Sequence, residues 1–117
     1  MSTLRKRKSE VIYKKHLKNR KENGDDSCPM CERKSEKSFK FWKIIKNKFP
    51  YDKVAEEHLM LVPIRHVVES GLNKNELKEF GKIKNSILKV KKYDFIMEAV
   101  KWKTIPSHFH LHLIVLK

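Results

Sequence analysis

A chain of 117 residues and 14.0 kDa is the size of one folding unit, which excludes a pair of large domains. Its 28 Lys and Arg outnumber 14 Asp and Glu to leave a formal charge of +14, so an anionic partner is expected: a nucleotide, a nucleic acid or an anionic surface. No run approaches the roughly 18–20 apolar residues of a membrane span, and the N-terminus lacks the apolar core of a secretory signal. A soluble, cytoplasmic protein with no membrane span is expected.

Residues 1–24 carry nine Lys or Arg against two Glu and read as a flexible basic arm. Val11, Ile12, Tyr13 and Leu17 could form one or two amphipathic helical turns before Asn23-Gly24 breaks the pattern. Such an arm could keep the protein soluble, pack on the domain through Ile12 and Tyr13, or dock on nucleic acid, because clustered cations bind phosphates without a fold of their own. The remaining residues, 25–117, form the domain. The chain has two cysteines, Cys28 and Cys31. In a reducing compartment a Cys-x-x-Cys pair is a metal or redox device more often than a staple, and we read this one as metal-binding.

From Ser38 the pattern turns β-like: Phe39, Phe41 and Ile45 share one side, Trp42 and Ile44 the other, until Phe49-Pro50-Tyr51-Asp52 makes a turn. His58-Leu59-Met60-Leu61-Val62-Pro63 has the length of a buried strand closed by proline. Asn73 and Glu76 offer a capping box. Leu77, Phe80, Ile83, Ile87 and Leu88 then recur at helical spacing, predicting one amphipathic helix over about 74–91. Tyr93–Val100 and Phe109–Leu116 read as two further strands joined by residues 101–106. The order strand, strand, helix, strand, strand predicts an α+β fold, an antiparallel meander with one main helix packed on a face.

The segment Ser107-His108-Phe109-His110-Leu111-His112-Leu113-Ile114 holds the most informative pattern. With a period of two, Phe109, Leu111, Leu113 and Val115 point into a core while His108, His110 and His112 line up on the opposite face. A solvated strand face in so lysine-rich a chain would more naturally use Lys, Thr or Glu. The triad alone makes a poor metal site, because residues two apart in a strand stand about 6–7 Å apart.

His108 to Ile114 resembles the signature of the histidine triad (HIT) superfamily of nucleotide hydrolases and nucleotidyl transferases. The likeness extends to Phe49-Pro50-Tyr51-Asp52 and to His58 through Val67, and with the cysteines it covers residues 28–117. It implies a two-fold homodimer, to which the amphipathic helix and an open sheet edge also point. It further implies that His110 attacks the α-phosphate of a nucleotide substrate to give a nucleotidyl-histidine intermediate, with His112 holding a phosphate oxygen or helping to protonate the leaving group. In the zinc-containing branch that it resembles, the positions of Cys28, Cys31, His66 and His108 bind one structural Zn ion. His58 and His16 read as ordinary strand or surface histidines.

The sequence departs from the family's pattern just before the triad, where Trp102-Lys103-Thr104-Ile105-Pro106-Ser107 lacks the usual Gly-Gln-Ser-like phosphate cradle. Thr104 and Ser107 could supply substrate-binding hydroxyls, whereas Pro106 removes one backbone donor. A second reading therefore stands beside the enzyme: a nucleotide or nucleic-acid binding protein that keeps the fold but has weak or lost catalysis.

Overall fold

The computed structural model describes residues 4–24, 28–88, 93–100 and 105–117. In chain order its elements are α1 (Arg7–Glu22), α2 (Pro29–Glu32), β1 (Lys37–Ser38), β2 (Trp42–Lys46), β3 (Ala55–Pro63), α3 (Lys74–Ile83), β4 (Phe95–Met97) and β5 (Leu111–Leu116). The fold is α+β, as the pattern predicts. All strand pairs are antiparallel and the sheet order is β1-β2-β3-β5-β4. β1 to β3 form a meander, after which the chain lays β4 at the far edge and returns β5 to the centre.

The two faces of the sheet divide the work. Trp42 and Ile44 of β2, Leu61 of β3, and Leu111 and Leu113 of β5 pack with Phe109 and with Ile83 of α3 in one core. Each such side chain stabilises the fold by about 1.5–3 kcal/mol on burial. The Trp42 indole N–H, fully buried, donates to the Glu76 carbonyl at 2.8 Å and so ties β2 to α3. The capping box is present: Asn73 Oδ1 accepts from the Glu76 N–H at 2.8 Å, and Glu76 Oε1 accepts from the Asn73 N–H at 2.9 Å.

Four predicted elements are shorter than the sequence suggests. The first strand, expected from Ser38 to the turn at Phe49, is the antiparallel hairpin of β1 and β2, and its bend lets Phe39 and Phe41 pack on the same core as Trp42 and Ile44 while Ile45 faces the other side. The α-helix ends at Ile83 and continues as a π-helical turn over Lys84–Leu88. There Ser86 Oγ donates to the Lys82 carbonyl at 2.6 Å, the competition by which serine loosens a helix. Residues 89–91 of the predicted helix, the side chains of Ile87 and Leu88, and Trp102, Lys103 and Thr104 lie outside the described residues. The strand expected over 93–100 is ordered as β4 alone, and the last strand begins at Leu111 rather than Phe109. Phe109 leaves the ladder because its N–H donates to the Val67 carbonyl at 2.7 Å, outside β3.

The opposite face is also covered. Met60, Val62 and Ile45 pack against Met30 of α2, and Ile114 packs with Tyr51 and Ala55. Most of the basic arm, expected to be flexible, is the 16-residue helix α1. Its half-buried or buried positions Ser9, Glu10, Tyr13, His16, Leu17 and Arg20 recur at helical spacing, so one stripe faces the domain. Tyr13, not Ile12, makes the packing contact, with its ring 4.9 Å from that of Phe49, while Ile12 remains exposed.

A polar latch holds the start of α1. The Arg5 guanidinium is 6% exposed; its Nε donates to the Phe49 carbonyl at 2.9 Å, its Nη1 to Glu10 at 3.2 Å, and it lies 4.0 Å over the Tyr13 ring. Asp52 accepts from the Lys6 N–H at 2.8 Å and from the Ser9 hydroxyl. Removing one partner of a buried ion pair strands the other, at about 3–5 kcal/mol when no relaxation occurs. Glu10→Ala should therefore release α1: in hydrogen exchange, amides of residues 10–22 should lose protection while β3 and β5 keep theirs.

Candidate functional site

The metal-ligand candidates come from three separate segments that meet where β3 and β5 diverge. Cys28 caps α2 and Cys31 lies within it, Pro29 occupying the first helical position where its missing N–H costs nothing. His66 follows β3, and His108 precedes β5. Cys28 Sγ lies 3.3 Å from His108 Nδ1, Cys31 Sγ lies 3.4 Å from the same atom, and Cys31 Sγ lies 3.4 Å from His66 Nδ1. One ligand atom from each of the four residues falls within 4.8 Å of the others, so the group could hold a metal ion.

The donor set fits such an ion. With metal–sulfur bonds of about 2.3 Å and metal–nitrogen bonds of about 2.0–2.1 Å, tetrahedral geometry separates S from N by about 3.5 Å. His108 is fully buried, and its Nε2–H donates to the Pro63 carbonyl at 2.8 Å, which puts the lone pair on Nδ1 facing the two sulfurs. Burial foremost lowers the His108 pKa, keeping the ring neutral and able to ligate. Partial desolvation, then the hydrogen bond and charge of Cys28, raises the Cys31 thiol above its ordinary value. A cation bound between the two sulfurs would favour their deprotonated, ligating form.

His110 and His112 lie beside this group. Both line a cavity of about 480 Å³ between α1 and the sheet, within the range of small-molecule sites. Tyr13, Leu17, Met30, Phe49, Met60 and Ile105 give it apolar walls. His110 Nδ1 lies 3.0 Å from the His108 carbonyl oxygen, which can only accept, so the proton sits on Nδ1 and the lone pair on Nε2. The His110 and His112 rings are edge to face, with centroids 5.2 Å apart.

His58, which the sequence reading sets aside, orders His112. The Tyr51 N–H donates to His58 Nδ1 at 3.0 Å, so neutral His58 carries its proton on Nε2. That Nε2 lies 2.7 Å from His112 Nδ1, which therefore accepts and leaves His112 with its N–H at Nε2. The register produces the pair: Met60 is opposite His112 and His58 opposite Ile114, all on one face. The available signal in the sequence was the spacing His58-x-Met60, but only the register reveals its partner.

Ser107 lines the cavity; Thr104 is outside the described residues. His16 also lines it, with its ring 4.7 Å from that of Phe49. Among the described residues no helix is long and apolar enough to cross a membrane. No protein-family profile matches the chain, and no curated protein matches it.

Burial and then the neighbouring His112 lower His58 to about 3; burial and then His110 lower His112 to about 4. An unfolded imidazole titrates near 6.5. As pH falls below that value the unfolded chain takes up protons that the folded rings refuse, so their contribution is whole above about pH 6.5 and is lost toward pH 4 and 3. Imidazole ¹⁵N shifts should show both rings neutral at pH 5. The fall in Tm between pH 7 and 5 should be shallower in the His58→Gln/His112→Gln double variant than in the wild type.

Proposed function

We propose that the chain is a zinc-containing nucleotide hydrolase or nucleotidyl transferase of the histidine triad kind, with His110 as the nucleophile. The observation that carries this reading is the 3.0 Å hydrogen bond from His110 Nδ1 to the His108 carbonyl, which puts the proton on Nδ1 and the lone pair on Nε2, the tautomer a nucleophilic imidazole needs. In the proposed reaction Nε2 attacks the α-phosphate, and the bond from phosphorus to the leaving oxygen or nitrogen breaks with its electron pair. A proton from solvent neutralises the leaving group, since neutral His112 has only the one N–H proton and would become an imidazolate by giving it up. The His112 Nε2–H, fixed by His58, hydrogen-bonds a non-bridging oxygen as charge accumulates there. Water or another acceptor then attacks phosphorus and loses its proton to solvent, the P–N bond breaks, and the Nε2 lone pair is restored.

Cys28, Cys31, His66 and His108 would hold the zinc, which with four protein ligands supplies a structural cross-link. Because the His108 carbonyl orients His110, the cross-link also holds the nucleophile in place. One zinc per chain is expected by elemental analysis of protein purified without chelator. Cys28→Ser, His66→Ala or chelation should lower Tm by roughly 10 °C or more, the equivalent of about 2 kcal/mol in a small domain. A metal-free protein indifferent to chelators would refute the site.

Turnover separates the enzyme from the binding-protein reading, which the glycine-free segment before the triad favours. With a panel of dinucleoside polyphosphates and nucleoside phosphoramidates, His110→Ala should reduce kcat by about a thousandfold or more, the scale of losing a nucleophile. Quenching wild-type turnover at alkaline pH, where a P–N bond to imidazole persists, should trap one nucleotidyl group on the chain. If no member of the panel shows His110-dependent turnover, the binding protein is the better reading.

A further inference from the structure

The charge on α1 is placed in a way that the cavity alone does not account for. Arg20, Lys21, Arg33 and Lys48 line the cavity that holds His110 and His112, and none of its described lining residues is acidic. Lys14, Lys15 and Lys18 of α1 do not line the cavity and are all exposed on the outer side of the helix. The helix has two acids. Glu10 is buried against Arg5, and Glu22 faces Lys18 at 3.9 Å in an exposed pair of little strength. A 16-residue helix is about 24 Å long, further than a mononucleotide in the cavity extends. The latch at Arg5 and Asp52 holds the start of α1, and with it this charged face, against the domain.

We propose that α1 is a docking track for single-stranded nucleic acid, whose terminal nucleotide enters the His110 cavity. The proposal rests on reading that cavity as a nucleotide site. A strand has the phosphate repeat that the row of lysines can meet contact by contact, and the cavity, at about 480 Å³, takes one nucleotide rather than a stacked base pair. An anionic membrane fits the helix less well. Tyr13 and Leu17 are turned toward the domain, leaving Val11 and Ile12 as the exposed large apolar residues of α1, too few for an interfacial apolar face. The helix on the other face of the sheet provides a contrast. On α3, Lys74, Lys78 and Lys82 are accompanied by Glu79, whose carboxylate accepts from the N–H groups of Lys40 and Phe41.

Fluorescence anisotropy with a short 5′-phosphorylated, 3′-labelled oligonucleotide of mixed sequence tests the track. Lys14→Glu/Lys15→Glu/Lys18→Glu should weaken binding by about tenfold or more near physiological salt. The slope of log affinity against log salt should become shallower by about 2, at roughly 0.7 per phosphate contact on a single strand. Lys74→Glu/Lys78→Glu/Lys82→Glu changes net charge equally on the opposite face and should leave most of the affinity. The Lys14→Gln/Lys15→Gln/Lys18→Gln set, expected to be intermediate, keeps the test valid if the glutamate set disturbs the helix by circular dichroism. Equal losses from α1 and α3, no loss from α1, tighter binding to a blunt duplex, or tighter binding to phosphatidylserine vesicles would each overturn the proposal. Turnover of small nucleotides is assayed apart from binding: lost strand binding with retained His110-dependent turnover refutes the track alone, and the converse refutes the enzyme alone.

Discussion

Leu61 opposite Leu111 is the last rung of the ladder between β3 and β5, and beyond it the two strands part. Pro63 closes β3, and the segment carrying His108, Phe109 and His110 bonds instead to the last residue of β3 and the chain after it, through His108 Nε2–H to Pro63 O and Phe109 N–H to Val67 O. The divergence creates a fork, and the Cys/His cluster sits in it. A fork between strands would otherwise be a weak point where backbone groups lose their partners. Here side-chain donors and a short helix with two cysteines fill it, so the two prongs become connected through His66 and His108. His110 inherits its orientation from the same divergence, because the carbonyl that holds its Nδ1 belongs to His108.

Alternation along a strand was legible in the sequence because it needs only local geometry. Phe109, Leu111 and Leu113 do share a core with Trp42 and Ile44, and His110 and His112 do face the other way. The cap at Asn73 was legible for the same reason. His58 was not, since a single histidine in an apolar run looks the same whether it meets solvent or another ring. Its meaning depends on a register set by residues more than fifty positions later. The cluster of Cys28, Cys31, His66 and His108 likewise spans most of the chain, and only the resemblance to a known pattern united it in advance.

The arm teaches a different lesson about charge. Nine cations in 24 residues suggested solvation, yet a helix needs only one stripe to dock, and Ser9, Glu10, Tyr13, His16, Leu17 and Arg20 provide it with few aliphatic residues. Aromatic stacking on Phe49 and a buried guanidinium between two tyrosines replace the leucines that a pattern search looks for. Hydrophobicity counts miss such an interface because its partners are amphipathic.

Glu76 has a reach that its position on α3 conceals. Its carboxylate, 1% exposed, accepts from the Asn73 N–H and from Arg65 Nε and Nη2, at 2.7 Å for the shortest. Arg65 also donates to the Gly71 carbonyl, so the loop from β3 to α3 is drawn closed around one acid. The next residue is His66. The segment that brings His66 to the Cys/His cluster on one side of the sheet is thus moored to the first turn of a helix on the other. Variation at Glu76 or Arg65 would transmit slack to His66 across the thickness of the protein, which makes the helix start an anchor for the fork.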